Sequence, residues 1–251
     1  MTILGIESAA ITASAAIVTD GVMTAEYTVN HKKTHSQTLL PMLEEICRMA
    51  EQDKHRIDAI AVSAGPGSFT GLRIGAATAK GLGMALGIPL VPVSTLEGLA
   101  ANLWGCPDLL CPVMDARRGQ VYNLLCHFRE KPEIAAEPRC LQAADLVREL
   151  NERQEPVVIL GDGQSLLKTM ADQFTVPVRF APAHMSLHRA ASVAFLGELY
   201  LKEGKTVSAA DFAPDYLRKS QAEREKDAAE REGTEALKAL SRGVAPKSAE
   251  T

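Results

Sequence analysis

Gly65-Pro66-Gly67-Ser68-Phe69-Thr70-Gly71-Leu72-Arg73-Ile74-Gly75 follows an apolar run, 57–63, that reads as a buried strand. It opens into a small-residue segment, 72–86, that reads as a helix. Seven of the chain's 18 glycines fall between positions 65 and 87. Such a concentration means that the backbone turns sharply or approaches something closely. One reading is a phosphate loop, because free N–H groups at a helix start attract anions. The other is close packing of a small helix face on a sheet or on a second helix. A P-loop needs G-x-x-x-x-G-K-[ST], which is missing. A dinucleotide fingerprint needs a third glycine where Thr70 stands. The balance favours packing.

Working outward, the same order of elements occurs twice. Strands are expected over 3–7, 12–18 and 22–29, the last two joined by the hairpin signal Asp20-Gly21. A helix follows from Thr34 to about Gln52, with Thr34 and Gln37 at capping-box spacing. Leu39, Leu43, Ile46, Cys47 and Ala50 form its apolar stripe, and Pro41 bends it or delays its start. Next come the strand 57–63, the glycine loop, the helix 72–86, a strand over 90–93 and a helix from Thr95. The second pass places strands over 109–115 and 119–128 and a weaker one near Ile134. A helix over 142–151, a strand over 157–160, the turn Gly161-Asp162-Gly163 and another helix complete it. The divisions are 1–105, 106–218 and a tail, 219–251. The tail carries seven charges of each sign and no aromatic residue, and reads as a frayed helix or a disordered segment, solvated or docking a partner.

Composition bounds the function. The chain has 251 residues, 46% of them hydrophobic, enough to bury an ordinary core without disulfide or metal. Lys plus Arg is 27 against 31 Asp plus Glu, a net charge of −4, which argues against a broad nucleic-acid-coating surface. Aromatics at 4% argue against a base-stacking platform. Five scattered cysteines without a C-x-x-C pair exclude a zinc ribbon and suit a reducing cytoplasm. No signal peptide is visible, and the uncharged run 81–96 is too short and too proline-broken to span a membrane.

Two carboxylates, Glu7 and Asp115, stand at matching strand ends, and Gly161 and Gly163 match the glycine turn of the first half. Such a pair could hold hydrated magnesium beneath a nucleotide between the halves. A degenerate cleft is about as well supported, because the turn after Glu7 has no glycine and Arg117 and Arg118 crowd the other. Those arginines would bind phosphate or pair with acids. His31 and His35 have metal-binding i,i+4 spacing, but Lys32 and Lys33 between them disfavour a dication. No G-x-S-x-G elbow exists.

The glycine stretch, with Ile3-Leu4-Gly5-Ile6-Glu7-Ser8, His35-Ser36-Gln37-Thr38-Leu39-Leu40-Pro41, Met114-Asp115-Ala116-Arg117-Arg118-Gly119-Gln120-Val121-Tyr122 and Pro214-Asp215-Tyr216-Leu217-Arg218, closely resembles the TsaB (YeaZ) family over about residues 1–220. That family is a non-catalytic subunit of the bacterial tRNA threonylcarbamoyladenosine machinery. Glu7 replaces its usual first-strand aspartate. The resemblance implies an α/β fold of the actin/Hsp70/sugar-kinase type with two duplicated ribonuclease-H-like halves. It also implies pairing with the catalytic paralogue TsaD, recruitment of the small ATPase TsaE, self-association as a homodimer when alone, tRNA contact through the complex and no membrane partner. The paralogue's metal-holding H-x-E-G-H corresponds here to Thr95-Leu96-Glu97-Gly98-Leu99, in which neither histidine is kept. No catalytic residue, metal or required cofactor is implied, only weak ATP or ADP binding in a vestigial cleft. The implied pairing surface lies on the first two helices, at His35, Leu39, Leu43, Ile46, Arg73, Gly75, Ala76 and Ala79. At least half of each helix is expected to cover the sheet instead. The competing readings are a stand-alone ATPase or kinase using Glu7 and Asp115 and, more remotely, a metallopeptidase.

Overall fold

Strands buried on both faces read as continuous apolar runs, because no residue of either parity meets water. That is the case for β1 (Thr2–Glu7) and β4 (Ala59–Gly65), buried along their whole length. In the computed structural model, which describes residues 1–31 and 35–217, they pair in parallel at the centre of a five-stranded sheet. β2 (Ala13–Thr19) and β3 (Val22–Val29) extend it antiparallel on one side, and β5 (Leu90–Ser94) extends it parallel on the other. The order is β3-β2-β1-β4-β5.

The second sheet repeats this plan with β6 (Leu109–Arg117), β7 (Gln120–Phe128), β8 (Pro132–Gln142), β9 (Val157–Leu160) and β10 (Val178–Phe180) in the order β10-β9-β6-β7-β8. Renumbered from its own first strand, that is the same 3-2-1-4-5 arrangement, with the same parallel and antiparallel pairs. The helices repeat as well. α1 (His35–Met49), α2 (Phe69–Leu86) and α3 (Thr95–Ala100) accompany the first sheet in sequence, and α4 (Ala143–Arg153), α5 (Gln164–Lys168) and α6 (Ala190–Lys202) the second.

Alternation along each strand divides the interior into three cores. Leu4, Ile6, Ile60 and Val62 face α1 and α2, whereas Ile3, Ala59 and Ala61 face a central core with α3 and α6. In the second sheet Leu109, Cys111 and Val113 face α4, and Leu110, Val158 and Leu160 face the centre. Trp104 packs edge-on against Phe128 and Phe195 in the central core.

Several expected boundaries move. α2 begins at Phe69, not Leu72, because the Ser68 side chain caps it by accepting the Gly71 N–H. Gly87 ends it in a left-handed conformation. α1 continues past Pro41, which lies inside it. β8 is 11 residues long, far more than the weak strand expected near Ile134. The last part of the division 106–218 packs on the first half. α6 packs on β1, β4 and β2, Val207 bridges to Leu90, and Phe212 is buried in the first half's core, so residues 190–217 lie with the first sheet. The reason lies in the start of α6. Its free N–H groups are met by first-half side chains: Ala190 N donates to Ser14 Oγ (3.0 Å) and Ala191 N to Glu26 Oε1 (3.1 Å). Arg189 clamps the same Glu26 carboxylate. The Thr34 cap and the charged tail 219–251 lie outside the described residues. No helix among the described residues is long and apolar enough to cross a membrane.

Close helix–sheet approach depends on Gly197, where an added Cβ would stand 2.3 Å from Ala61 Cβ. Gly197→Val is therefore expected to cost about 2–3 kcal/mol in urea-induced unfolding through overpacking. An unchanged midpoint would mean that α6 does not rest on β4.

Candidate functional site

The parallel strands β1, β4 and β5 end on one edge of the first sheet, where open α/β sheets place their ligands. The glycine stretch starts there, and its glycines meet the turn after β1. An added Cβ would lie 2.4 Å from the Ala9 carbonyl oxygen at Gly67, 2.1 Å from the Ser8 carbonyl oxygen at Gly71 and 2.3 Å from Ser8 Oγ at Gly75. At Gly67 and Gly71 no side chain fits without moving backbone, and at Gly75 one would have to displace the Ser8 hydroxyl. Hydrogen bonds close the contact. Ser68 N donates to the Ala9 carbonyl (2.7 Å), Ser8 Oγ to the Gly71 carbonyl (2.9 Å), and His35 Nε2 lies 2.8 Å from the Ala10 carbonyl oxygen. The glycines thus serve packing, and the turn is occupied by the chain's own backbone.

This arrangement seals Glu7. Its carboxylate is 1% exposed and accepts the Ala9 N–H at 2.6 Å, with Ser63 and Ser8 as further donors. Burial pushes its pKa up to about 7, against the pull of those hydrogen bonds. Packed in this way, the Glu7 carboxylate leaves no space beside it for the hydrated ion that an acid pair could hold.

At the second sheet Asp115, Gly161 and Gly163 do come together. Asp115 Oδ1 accepts the Arg117 N–H (2.7 Å), and Asp115 N donates to Asp162 Oδ1 (3.0 Å). Gly161 and Gly163 press on the backbone of Val113 and Met114. Asp115 stays exposed, yet it braces its own hairpin, where Arg117 and Arg118 both adopt positive φ. Glu7 and Asp115 share no hydrogen-bonding partner among the described residues.

The helical residues divide by face. Leu39, Leu43, Ile46, Gly75, Ala76 and Ala79, expected on a pairing surface, are buried against the first sheet. The correction has a simple cause, since an i, i+3, i+4, i+7 apolar stripe is the face that covers a core. Facing outward on α2 are Thr70, Arg73, Ala77, Gly81, Met84 and Ala85, within about a third of the helix circumference at 100° per residue. Leu40 on α1 is 56% exposed and Met84 is 67% exposed. His35 is half-buried, held by the turn after β1.

Other residues have places here that the sequence did not indicate, including Asp215 and Tyr216 of the motif 214–218. Asp215 N donates to the Ala64 carbonyl (2.6 Å), and Gly65 leaves no space for a Cβ beside the Asp215 carbonyl. The Tyr216 ring packs on Phe69. His188 is 2% exposed with neither ring nitrogen hydrogen-bonded, and burial pulls its pKa down to about 4 although Asp162 opposes this.

Comparisons with known proteins follow the same lines. Residues 23–226 match the family model of TsaD, tRNA N6-adenosine threonylcarbamoyltransferase. The tRNA threonylcarbamoyladenosine biosynthesis protein TsaB of Bacillus subtilis (strain 168) is 37% identical over 228 residues, covering 89% of this chain and 96% of that protein. Escherichia coli (strain K12) TsaB is 30% identical over 241 residues, covering 87% and 95%. The chain belongs to the TsaB family. Among solved structures, YeaZ from Pseudomonas aeruginosa has a TM-score of 0.71 at 24% identity, covering 86% of this chain and 99% of that one. This likeness carries the fold, which is of the actin/Hsp70/sugar-kinase type with two duplicated ribonuclease-H-like halves. In this TsaB-family chain Thr95 and Leu99 are fully buried, and Leu99 packs in the central core. Glu97 between them is hydrogen-bonded by the Tyr200 hydroxyl, and burial raises its pKa.

The buried Glu7 predicts a pH dependence. A carboxyl with a folded pKa near 7 and an ordinary value of 4.5 costs the fold nothing below pH 4.5. Above that it must either stay protonated or ionise in a dry site, so stability falls between pH 4.5 and 7 and then levels off. Glu7→Gln is expected to remove this fall, gaining about 3 kcal/mol relative to the native chain at pH 8 compared with pH 4. Denaturant melts at the two pH values check it. Equal pH dependence in both proteins would overturn the assignment.

Proposed function

We propose that this chain is the non-catalytic, activating subunit of a complex that forms threonylcarbamoyladenosine in tRNA. Its partner in this reading is a TsaD-type paralogue. There the N6 amine of the adenosine beside the anticodon attacks the carbamoyl carbonyl of threonylcarbamoyl-adenylate, and AMP departs with the bonding electrons. The observation that carries this reading is the outward face of α2, small and largely apolar at Thr70, Ala77, Gly81, Met84 and Ala85, beside the exposed Leu40 of α1. Two helices with such a face, together with flanking loops, can supply the roughly 800 Å² per partner of a specific interface.

Membership of the TsaB family and the match to the TsaD family model support a complex of the two related chains. A non-catalytic role is supported by what occupies the places where chemistry would be done. The turn after β1 is filled by the chain's own loop, Glu7 is sealed, and Thr95 and Leu99 are core residues. A stand-alone ATPase or kinase would need Glu7 open to a metal–nucleotide complex. The reading further includes recruitment of the small ATPase TsaE by the complex, a homodimer when the paralogue is absent, tRNA contact mainly through the partner, and a cytoplasmic setting. It requires no cofactor of this chain, with at most weak ATP or ADP binding.

In a reconstituted reaction with the paralogue, the ATPase, threonylcarbamoyl-adenylate and tRNA, omission of this chain is expected to abolish modification. Ala77→Arg, on the exposed face and clear of the core, is expected to weaken pairing at least tenfold while leaving the melting temperature unchanged. Undiminished modification without the chain, or native affinity of the variant, would defeat the proposal.

A further inference from the structure

Arg73 is exposed on the outward face of α2, yet its side chain is not left to wander. Its guanidinium carbon stands 3.9 Å from the centroid of the Phe69 ring. Phe69 in turn packs on Tyr216, with centroids 4.8 Å apart and planes tilted by 39°. A guanidinium held over an aromatic ring still presents its planar fork of N–H donors, which matches the two oxygens of a carboxylate. Among the described residues no carboxylate lies within ion-pair distance of Arg73.

The stack is braced from a distant part of the chain. Val207 exchanges backbone hydrogen bonds with Leu90. Lys80 Nζ donates to the Ala210 and Phe212 carbonyls at 2.8 and 2.9 Å. Phe212 is buried, and Asp215 N is tied to the Ala64 carbonyl. The segment 207–216 is thus a strap fastened along α2 and β5, and it delivers Tyr216 onto Phe69. Nothing in the core requires this exposed aromatic contact. What it accomplishes is to hold one arginine before any partner arrives, which removes part of the ordering cost of binding.

Charge and surroundings identify the ligand. α2 carries no acidic residue, and its other cation, Lys80, is committed to the strap. Thr70 and Ala77, one turn to either side of Arg73, are small enough for close approach. Nucleic acid demands clustered cations, whereas among the described residues Arg73 is the one cation on the outward face of α2, one turn from Ala77.

We propose that Arg73 is a preorganised receptor for an Asp or Glu side chain of the TsaD-type partner, with Phe69 and Tyr216 as positioning residues. The proposal rests on the pairing reading above and adds the chemistry of its central contact. The test measures binding of the full-length chain to the paralogue by calorimetry at low and high NaCl. Arg73→Ala is expected to lose at least tenfold in affinity and most of the salt dependence. Arg73→Lys should recover only part of the loss, because an ammonium neither stacks nor forks. Tyr216→Leu should weaken binding severalfold at an unchanged melting temperature, while Tyr216→Phe retains the native value. Native affinity and salt dependence in Arg73→Ala would overturn the proposal and leave pairing intact. So would a variant that pairs normally but binds tRNA less tightly in the complex, since phosphate would then be the ligand. Absence of binding by the native chain would instead defeat the pairing reading itself.

Discussion

Backbone touches backbone where the loop before α2 meets the turn after β1, and this contact sets the geometry of the first half. At Gly67 and Gly71 the approach leaves less than 2.5 Å for any Cβ, against carbonyl oxygens that cannot swing aside. Gly75, one turn further on, must admit Ser8 Oγ, which reaches over to the Gly71 carbonyl. α2 is therefore fixed in height and rotation by three points along one edge. Its rotation decides which side chains face outward, so the sealed interior and the exposed Thr70–Arg73–Ala77 face follow from one constraint. The same contact closes off Glu7. A carboxyl in that position tolerates burial only with donors around it and with its ionisation suppressed, as the upward pKa shift records.

The two halves share a plan but not a fate. In the second half the corresponding edge keeps Asp115 exposed, with the glycine turn 161–163 pressed against β6. In the first, the chain closes the edge twice over, with the glycine loop and with the returning strap. The return depends on polar groups presented by β2 and β3. Ser14 and Glu26 supply acceptors for the start of α6, and Arg189 neutralises Glu26 in its half-buried position. Without these acceptors the first N–H groups of α6 would lack partners, and a helix running beside the central strands would be a poor exchange for solvent.

Most of the architecture was legible in the sequence, because duplication shows in element order even when residue identity does not. Apolar strands, the Asp20-Gly21 hairpin and the glycine turns mark both halves without any contact information. The face of each helix was not legible in the same way. Leu39, Leu43 and Ile46 form the regular apolar stripe that a sheet requires, whereas the residues left for a partner, such as Leu40 and Ala77, share the helical period but mix polar and apolar types and so do not stand out. Contacts distant in sequence escaped as well. Nothing local in Pro214-Asp215-Tyr216 says that it will lie on Ala64 and Phe69, and nothing around Glu26 says that it will cap a helix more than 160 residues away. From the sequence no helix is expected over 190–202, a stretch that falls only within the division 106–218. The burial of α6 between layers, seen at Gly197 against Ala61, is a tertiary fact.

The strap and the loop show how one stretch of chain serves two ends. Gly65 must be glycine because the Asp215 carbonyl lies where its Cβ would be, and its positive φ of 126° lies in the range that side chains disfavour. Four residues later Phe69 carries Tyr216 on its ring, and four residues after that Arg73 lies over the same ring. The 65–75 stretch therefore joins a glycine series facing inward, which packs, to an aromatic–arginine series facing outward, which is held ready. Helical spacing makes the two inseparable. A change that lifts the glycines off the β1 turn also turns Arg73 away from its position, so loss of packing and loss of the outward face would occur together. Only substitutions confined to the outer face separate the two roles, because there the side chain ends in solvent and the backbone beneath it is left undisturbed.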